Sequence, residues 1–204
     1  MLPRVDGEQL ALALEDRSRL REPVRIVFAW NLNEAGMRVR GRGVARIEPP
    51  YRARLDLFLG NGETVVRAAL VDGELRLPPG APRDILPPAD LMWGVLGVFR
   101  PEFGMENLGA QLLPDGGRRL RYRYPDGSQL RFTVTDGRVS RVERVHDGHV
   151  TERVELTVKR DDPYPVEARY RNLSAFRELR LSRESVERVE SFPPDIWEPS
   201  GGVR

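Results

Sequence analysis

Five short dipeptides constrain this chain more than any other feature: Asn61-Gly62, Asp72-Gly73, Asp126-Gly127, Asp136-Gly137 and Asp147-Gly148. Asn or Asp followed by Gly tolerates the positive φ angles of the tightest hairpin turns, so each pair predicts two antiparallel strands joined directly. The flanking residues have the period of a strand. Ile26, Phe28, Trp30 and Leu32 alternate with Arg25, Val27, Ala29 and Asn31. Tyr51, Ala53, Leu55, Leu57 and Leu59 alternate with Arg52, Arg54, Asp56 and Phe58, and Leu120, Tyr122 and Tyr124 alternate with Arg119, Arg121 and Arg123. Successive strand residues point to opposite faces, so the large apolar groups gather on one side and the arginines on the other. Consecutive hairpins leave no place for the crossover helices of a parallel sheet.

Four segments break this rhythm. Residues 7–21, GEQLALALEDRSRLR, predict a short amphipathic helix ending before Pro23. Residues 78–88, PPGAPRDILPP, lack too many backbone donors for a central strand and read as a connection. Residues 88–99 follow, and Leu91, Met92, Val95, Leu96 and Phe99 form a broad apolar helical surface with Trp93 beside it. Gly94 and Gly97 weaken that helix, which leaves a buried β segment as the alternative. Strands are expected at 166–171, 176–181 and 185–189, with an irregular tail from Phe192 onward. The expected fold is mainly β: a single domain over 1–204 built on one highly curved, unclosed antiparallel sheet, a half-barrel of about ten strands, with an N-terminal helix and a helical lid near 88–99. A two-sheet sandwich, a closed barrel, and two β domains divided near 78–88 stay open, because alternation reports a buried face and not what buries it.

Charge and composition remove several functions. Lys and Arg number 33 against 31 Asp and Glu, a formal charge of +2, without the concentrated positive field of a dedicated DNA binder. Tyr122 and Tyr124 fall opposite their neighbouring arginines, so stacking and charge do not share a face, and no nucleic-acid partner is expected. The arginines instead solvate the outer surface, with weak attraction to anionic phospholipid heads. The absence of Cys excludes disulfides and thiolate chemistry. No apolar run reaches the roughly 18 residues of a bilayer span, and Met1-Leu2-Pro3-Arg4 lacks the apolar core of a secretion signal, so the chain is expected to be soluble. His146 and His149 flank Asp147-Gly148 and read as an exposed turn, since no remote cluster completes a metal site. No phosphate loop, HExxH helix or GxSxG elbow occurs. The chain is expected to be no enzyme and to need no cofactor or metal.

At Gly41-Arg42-Gly43, Arg46, Pro50, the run RARLDLFLGNGETVVRAALVDGELRL and the later LMWGVLGVFRP, the sequence resembles the bacterial outer-membrane lipoprotein-sorting superfamily of periplasmic carriers and outer-membrane receptors. In element order the likeness runs over about residues 7–190 and is clearest between 39 and 77. It implies an unclosed, strongly curved antiparallel sheet whose hollow is covered by helices and receives acyl chains. It also implies an arginine bonded to the helical lid, although no motif selects one. In the receptor branch an exposed apolar residue on a loop between early strands helps hand cargo to the membrane, and Leu59 is the local match.

The residues expected to line the ligand hollow are Phe28, Trp30, Leu55, Leu57, Trp93, Leu96, Phe99, Tyr122 and Phe132, with Leu59 as the membrane contact. The expected role is non-enzymatic binding of lipid or lipoprotein acyl chains in the periplasm or at the inner leaflet of the outer membrane, after removal of a signal or anchor. Peripheral membrane contact belongs to the same reading; the oligomeric state is left open. The competing reading is a structural or protein-interaction β domain of the cell envelope with a filled core. A periodic apolar face is equally consistent with side-chain packing and with lipid.

Overall fold

In a computed structural model of the 204-residue chain, residues 4–160 and 162–199 are described here. The strands are β1 (Arg4–Val5), β2 (Val24–Glu34), β3 (Met37–Glu48), β4 (Arg52–Leu59), β5 (Thr64–Val71), β6 (Glu74–Arg76), β7 (Glu106–Leu112), β8 (Arg118–Arg123), β9 (Gln129–Thr135), β10 (Arg138–His146), β11 (His149–Thr157), β12 (Glu167–Asn172) and β13 (Arg177–Arg188). Two α-helices accompany them, α1 (Gly7–Ser18) and α2 (Ala89–Val95). The strands form one antiparallel sheet in the order β1-β7-β8-β9-β10-β11-β12-β13-β2-β3-β4-β5-β6; β1 and β6 do not meet, so the sheet is unclosed.

The thirteen strands among the described residues exceed the expected ten or so, because β1 and β7 gave little periodic signal. The two strands expected at 176–181 and 185–189 are one continuous strand, β13. The lid helix is shorter than expected, ending at Val95 rather than near 99. The Asx-Gly turns fall between strands, and Asp72, Asp136 and Asp147 take positive φ angles of 52°, 52° and 47°.

Packing divides the chain into two units, each drawn from two chain segments. One comprises the chain up to Arg19 with Asp90–Glu178, the other Leu20–Ala89 with the chain from Leu179 onward. In the second unit, Val24, Ile26, Phe28, Trp30 and Leu32 of β2 are buried on one face. Trp30 pairs with Gly41 and Phe28 with Gly43 across β2 and β3. A Cβ on Gly41 would lie 1.8 Å from the Phe58 carbonyl oxygen, and one on Gly43 would lie 2.4 Å from the Phe28 ring. The glycines therefore clear the space the two large rings occupy. Trp30 Nε1 uses that clearance to donate to the carbonyls of Arg42 at 3.0 Å and Phe58 at 3.1 Å, so the indole is satisfied in the core.

The opposite face of β4 and β5 is covered by the terminal segment. The 3-10 turn Pro194–Trp197 brings Trp197 onto Ala69 and Val71, with Phe192 edge-on to Trp197 at 6.0 Å. Arg54 donates to the Ile196 carbonyl at 2.7 Å and to the buried Asp56 carboxylate at 3.0 Å. The tail expected to be irregular is docked as far as it is described. Its cover explains why the end of β5 is buried on both faces and lacks alternation.

Replacing Gly41 with Ala is expected to destabilise the protein by about 3 kcal/mol, because backbone rather than a flexible side chain must move. Gly60→Ala, with nothing within 4 Å of the added carbon, is expected to stay within about 0.5 kcal/mol of the parent. Urea unfolding midpoints of the two variants check the contrast.

Candidate functional site

The first unit carries the helix expected to act as a lid. Across β8 to β12 the register aligns two rows on the face that meets α2: Leu120, Phe132, Val142, Val154 and Tyr170, then Tyr122, Leu130, Arg144, Glu152 and Asn172. The first row is apolar apart from one phenol. The second carries a cation and a carboxylate at its centre.

Residues Asp90–Val95 of α2 are all buried. Gly94 lets the helix lie close on β10, since a Cβ there would come within 2.9 Å of a Val142 methyl. Its contribution is close approach, in addition to the lower helix propensity read from the sequence. Gly97, at φ +78°, ends the helix. Its amide donates to the Gly94 carbonyl at 2.9 Å and the Val98 amide to the Trp93 carbonyl at 2.9 Å, the paired bonds of a Schellman stop. The chain then turns Phe99 into the sheet, 4.7 Å from Phe132 and 6.3 Å from Tyr122 between ring centroids. The Phe99 amide donates to Ser18 Oγ of α1 at 3.0 Å. Asp6 fixes the other end of α1 by accepting from the Glu8 and Gln9 amides at 3.0 and 3.1 Å.

At its start α2 is held by charge. Arg144 Nη2 donates to both oxygens of Asp90 at 2.6 Å, and the Asp90 side chain is only 1% exposed. Tyr124 also donates to Asp90, and the Arg144 guanidinium lies 5.7 Å from the Tyr124 ring centroid. Arg144 Nη1 reaches Glu152 at 3.0 Å, and the Tyr170 hydroxyl donates to the same carboxylate at 2.5 Å. One guanidinium thus joins two carboxylates on an otherwise apolar face, and two phenols donate to the remaining lone pairs. Burial opposes the Arg144 charge, but Asp90 outweighs it and keeps the guanidinium protonated. Burial, then Asp90, raises the Tyr124 phenol far above its usual range. Burial, then Glu152, does the same for Tyr170, and burial with Glu15 pushes Tyr122 up to about 12.

Of the residues expected to line a hollow, Phe99, Tyr122 and Phe132 pack against one another here, with Trp93 and Leu96 buried on α2 and its C-terminal turn. Phe28, Trp30, Leu55 and Leu57 are buried in the other unit. Leu59 ends β4 half-buried, its amide donating to the Glu63 carbonyl at 2.8 Å. His146 and His149 are exposed, and no cluster of metal-ligating side chains occurs among the described residues. Sequence reading missed Asp90, Arg144, Glu152 and Tyr170. Register shifts at Val139/Arg141 and at Arg144/Val145 put Arg144 on the apolar face. Strict alternation cannot place residues between two bulges.

An unclosed antiparallel sheet with an apolar helix on one face is the architecture implied by the resemblance, and the chain has it. It is similar in structure to a LolA superfamily protein from Nitrosomonas europaea, with a TM-score of 0.61 and 11% identity over 95% of this chain and 97% of that one. It is also similar to a DUF1329 family protein from Desulfovibrio piger, with a TM-score of 0.56 and 10% identity over 94% of this chain and 95% of that one. No family profile and no curated protein matches the sequence. At these identities the likeness is one of fold: the chain has a LolA-like fold.

Removing one partner of the buried pair should leave a charge uncompensated, so Asp90→Asn and Arg144→Gln are each expected to cost about 3 kcal/mol. The double variant should lose less than the sum, and a double-mutant cycle by chemical denaturation measures the coupling. Alkali provides a second check. Above the ordinary phenol value of 10.0 the unfolded chain releases a proton that folded Tyr122 keeps until about 12. Stability should therefore be intact below pH 10 and decline as pH rises through that window. Tyrosine absorbance and circular dichroism followed together should show ionisation coinciding with unfolding.

Proposed function

We propose that the protein is a non-enzymatic, periplasmic or outer-membrane-associated binder of lipid or lipoprotein acyl chains, which enter between α2 and the apolar sheet face when the Asp90–Arg144 pair opens. The observation that carries this reading is a mostly apolar helix, buried from Asp90 to Val95 and fixed to an apolar sheet by a bidentate ion pair at one end. Lifting such a helix exposes apolar surface unless something apolar replaces it. Each methylene buried there contributes about 0.8 kcal/mol before ordering costs, so an acyl chain offsets much of the lost packing. The LolA-like fold supports the same assignment and the same compartment.

Arg144 takes the part of the lid-bonded arginine that the resemblance implied. Trp93, Leu96, Phe99, Tyr122 and Phe132 form the acyl-contacting surface of this unit. Phe28, Trp30, Leu55 and Leu57 offer a second apolar face, and Leu59 a contact with the membrane. The close mutual packing of Phe99, Tyr122 and Phe132 favours the competing reading of a protein-interaction domain with a filled core.

Binding of a fluorescent fatty-acyl probe, measured with thermal unfolding, separates the two. The parent should bind the probe and carry co-extracted lipid after purification. Trp93→Glu should lose binding, and Leu96→Asn, a milder change, should weaken it about tenfold while remaining folded. Asp90→Asn should speed probe uptake. Absence of probe binding by the parent and by every folded variant would establish the filled-core alternative.

A further inference from the structure

The face of the first unit opposite α2 carries an unbalanced block of arginine. Register places Arg121, Arg131, Glu143, Arg153 and Arg171 in one row across β8 to β12. The adjacent row is Arg119, Thr133, Arg141, Glu155 and Arg169. These ten positions hold seven arginines against two glutamates, in a chain whose formal charge is only +2.

The glutamates serve one side of the block. Glu143 accepts from Arg153 at 2.8 Å, and Glu155 pairs with Arg141 at 3.3 Å and with Arg171. Arg169, at the edge, lies 4.0 Å from Glu167 and from Glu178. That leaves Arg119, Arg121 and Arg131 on β8 and β9, for which no carboxylate lies within ion-pair distance among the described residues. Arg121 directly faces Arg131, an arrangement of like charges that weakens a sheet. The Nε–H groups of Arg119 and Arg121 have no hydrogen-bond partner among the described residues. Burial and the neighbouring Arg119 and Arg121 lower the pKa of Arg131, with Glu143 opposing them. The cluster is thus poorly compensated from within the fold.

We propose that Arg119, Arg121 and Arg131 form a docking surface for anionic phospholipid headgroups, by which the protein lies on a membrane with α2 turned away from the bilayer. Guanidinium groups suit this partner, since each presents a planar fork of donors to phosphate oxygens. An array spread over neighbouring strands matches a surface of many separate anions, and the attraction is screened by salt. Nucleic acid is disfavoured because the two rows contain no aromatic residue for base stacking, while Tyr122 lies on the α2 face. The surface is independent of whether acyl cargo binds beneath α2.

The experiment is co-sedimentation of the intact protein with vesicles of phosphatidylglycerol in phosphatidylcholine, against vesicles of phosphatidylcholine alone. The parent should bind only the former and be released as salt rises. Arg119→Gln, Arg121→Gln and Arg131→Gln combined should weaken binding about tenfold or more, since each charge near an anionic surface contributes separately. Thermal stability of that variant should match or exceed the parent's, because a like-charge pair has been removed, so lost binding would not be unfolding. Arg38→Gln, Arg40→Gln and Arg83→Gln combined remove the same net charge at exposed sites in the other unit and should change binding by less than about twofold. Failure of the parent to prefer anionic vesicles would overturn the proposal. So would equal loss in both triple variants, or tighter binding to single-stranded RNA than to the vesicles.

Discussion

The bidentate contact between Arg144 and Asp90 is the interaction on which the arrangement of the first unit depends. A carboxylate 1% exposed at the start of an apolar helix is tolerable only because the guanidinium and a phenol meet it. Such a pair contributes less to net stability than to position. Apolar packing alone would let a seven-residue helix slide or rotate on the sheet, whereas two hydrogen bonds from one guanidinium nitrogen to both carboxylate oxygens select a single setting. Gly94 against Val142 and the stop at Gly97 then fix the depth and the end of the helix. Position is thus set at three points, and only the first is electrostatic.

Much of the strand layout was legible because hairpin turns and period-two burial are local. Asn61-Gly62 and the Asp-Gly pairs stand between strands, and Phe28, Trp30, Leu55, Leu57, Tyr122 and Phe132 are buried as their spacing required. Features that depend on distant partners were not legible. Arg144 sits in RVSRVERVH, where valines recur every third residue because two register shifts interrupt the strand. No local rule assigns a face to an arginine between bulges, and its partner Asp90 lies far away in sequence. The arginine surplus was visible as alternation, but its concentration at Arg119, Arg121 and Arg131 appears only once the register aligns five strands.

The paired glycines of β3 illustrate how a sequence can signal a constraint without disclosing its cause. Gly41 and Gly43 are needed for close approach, with the Phe58 carbonyl and Trp30 beside the first and the Phe28 ring beside the second. The indole then supplies hydrogen bonds to two strands at once, so a packing group also ties β3 to β4. The terminal turn at Trp197 acts similarly on the other face of β4 and β5, where Arg54 links it to a buried carboxylate.

A sheet that never closes has two borders whose amides and carbonyls are free to pair with another chain. Among the described residues those borders are β1 and β6, two and three residues long, and β6 runs into Leu77-Pro78-Pro79. β6 itself offers few donors, and the prolines after it offer none, so a strand seeking to pair with β6 finds little to extend. The sheet can thus remain unclosed at that border without β6 itself templating fibrils or edge-to-edge polymers.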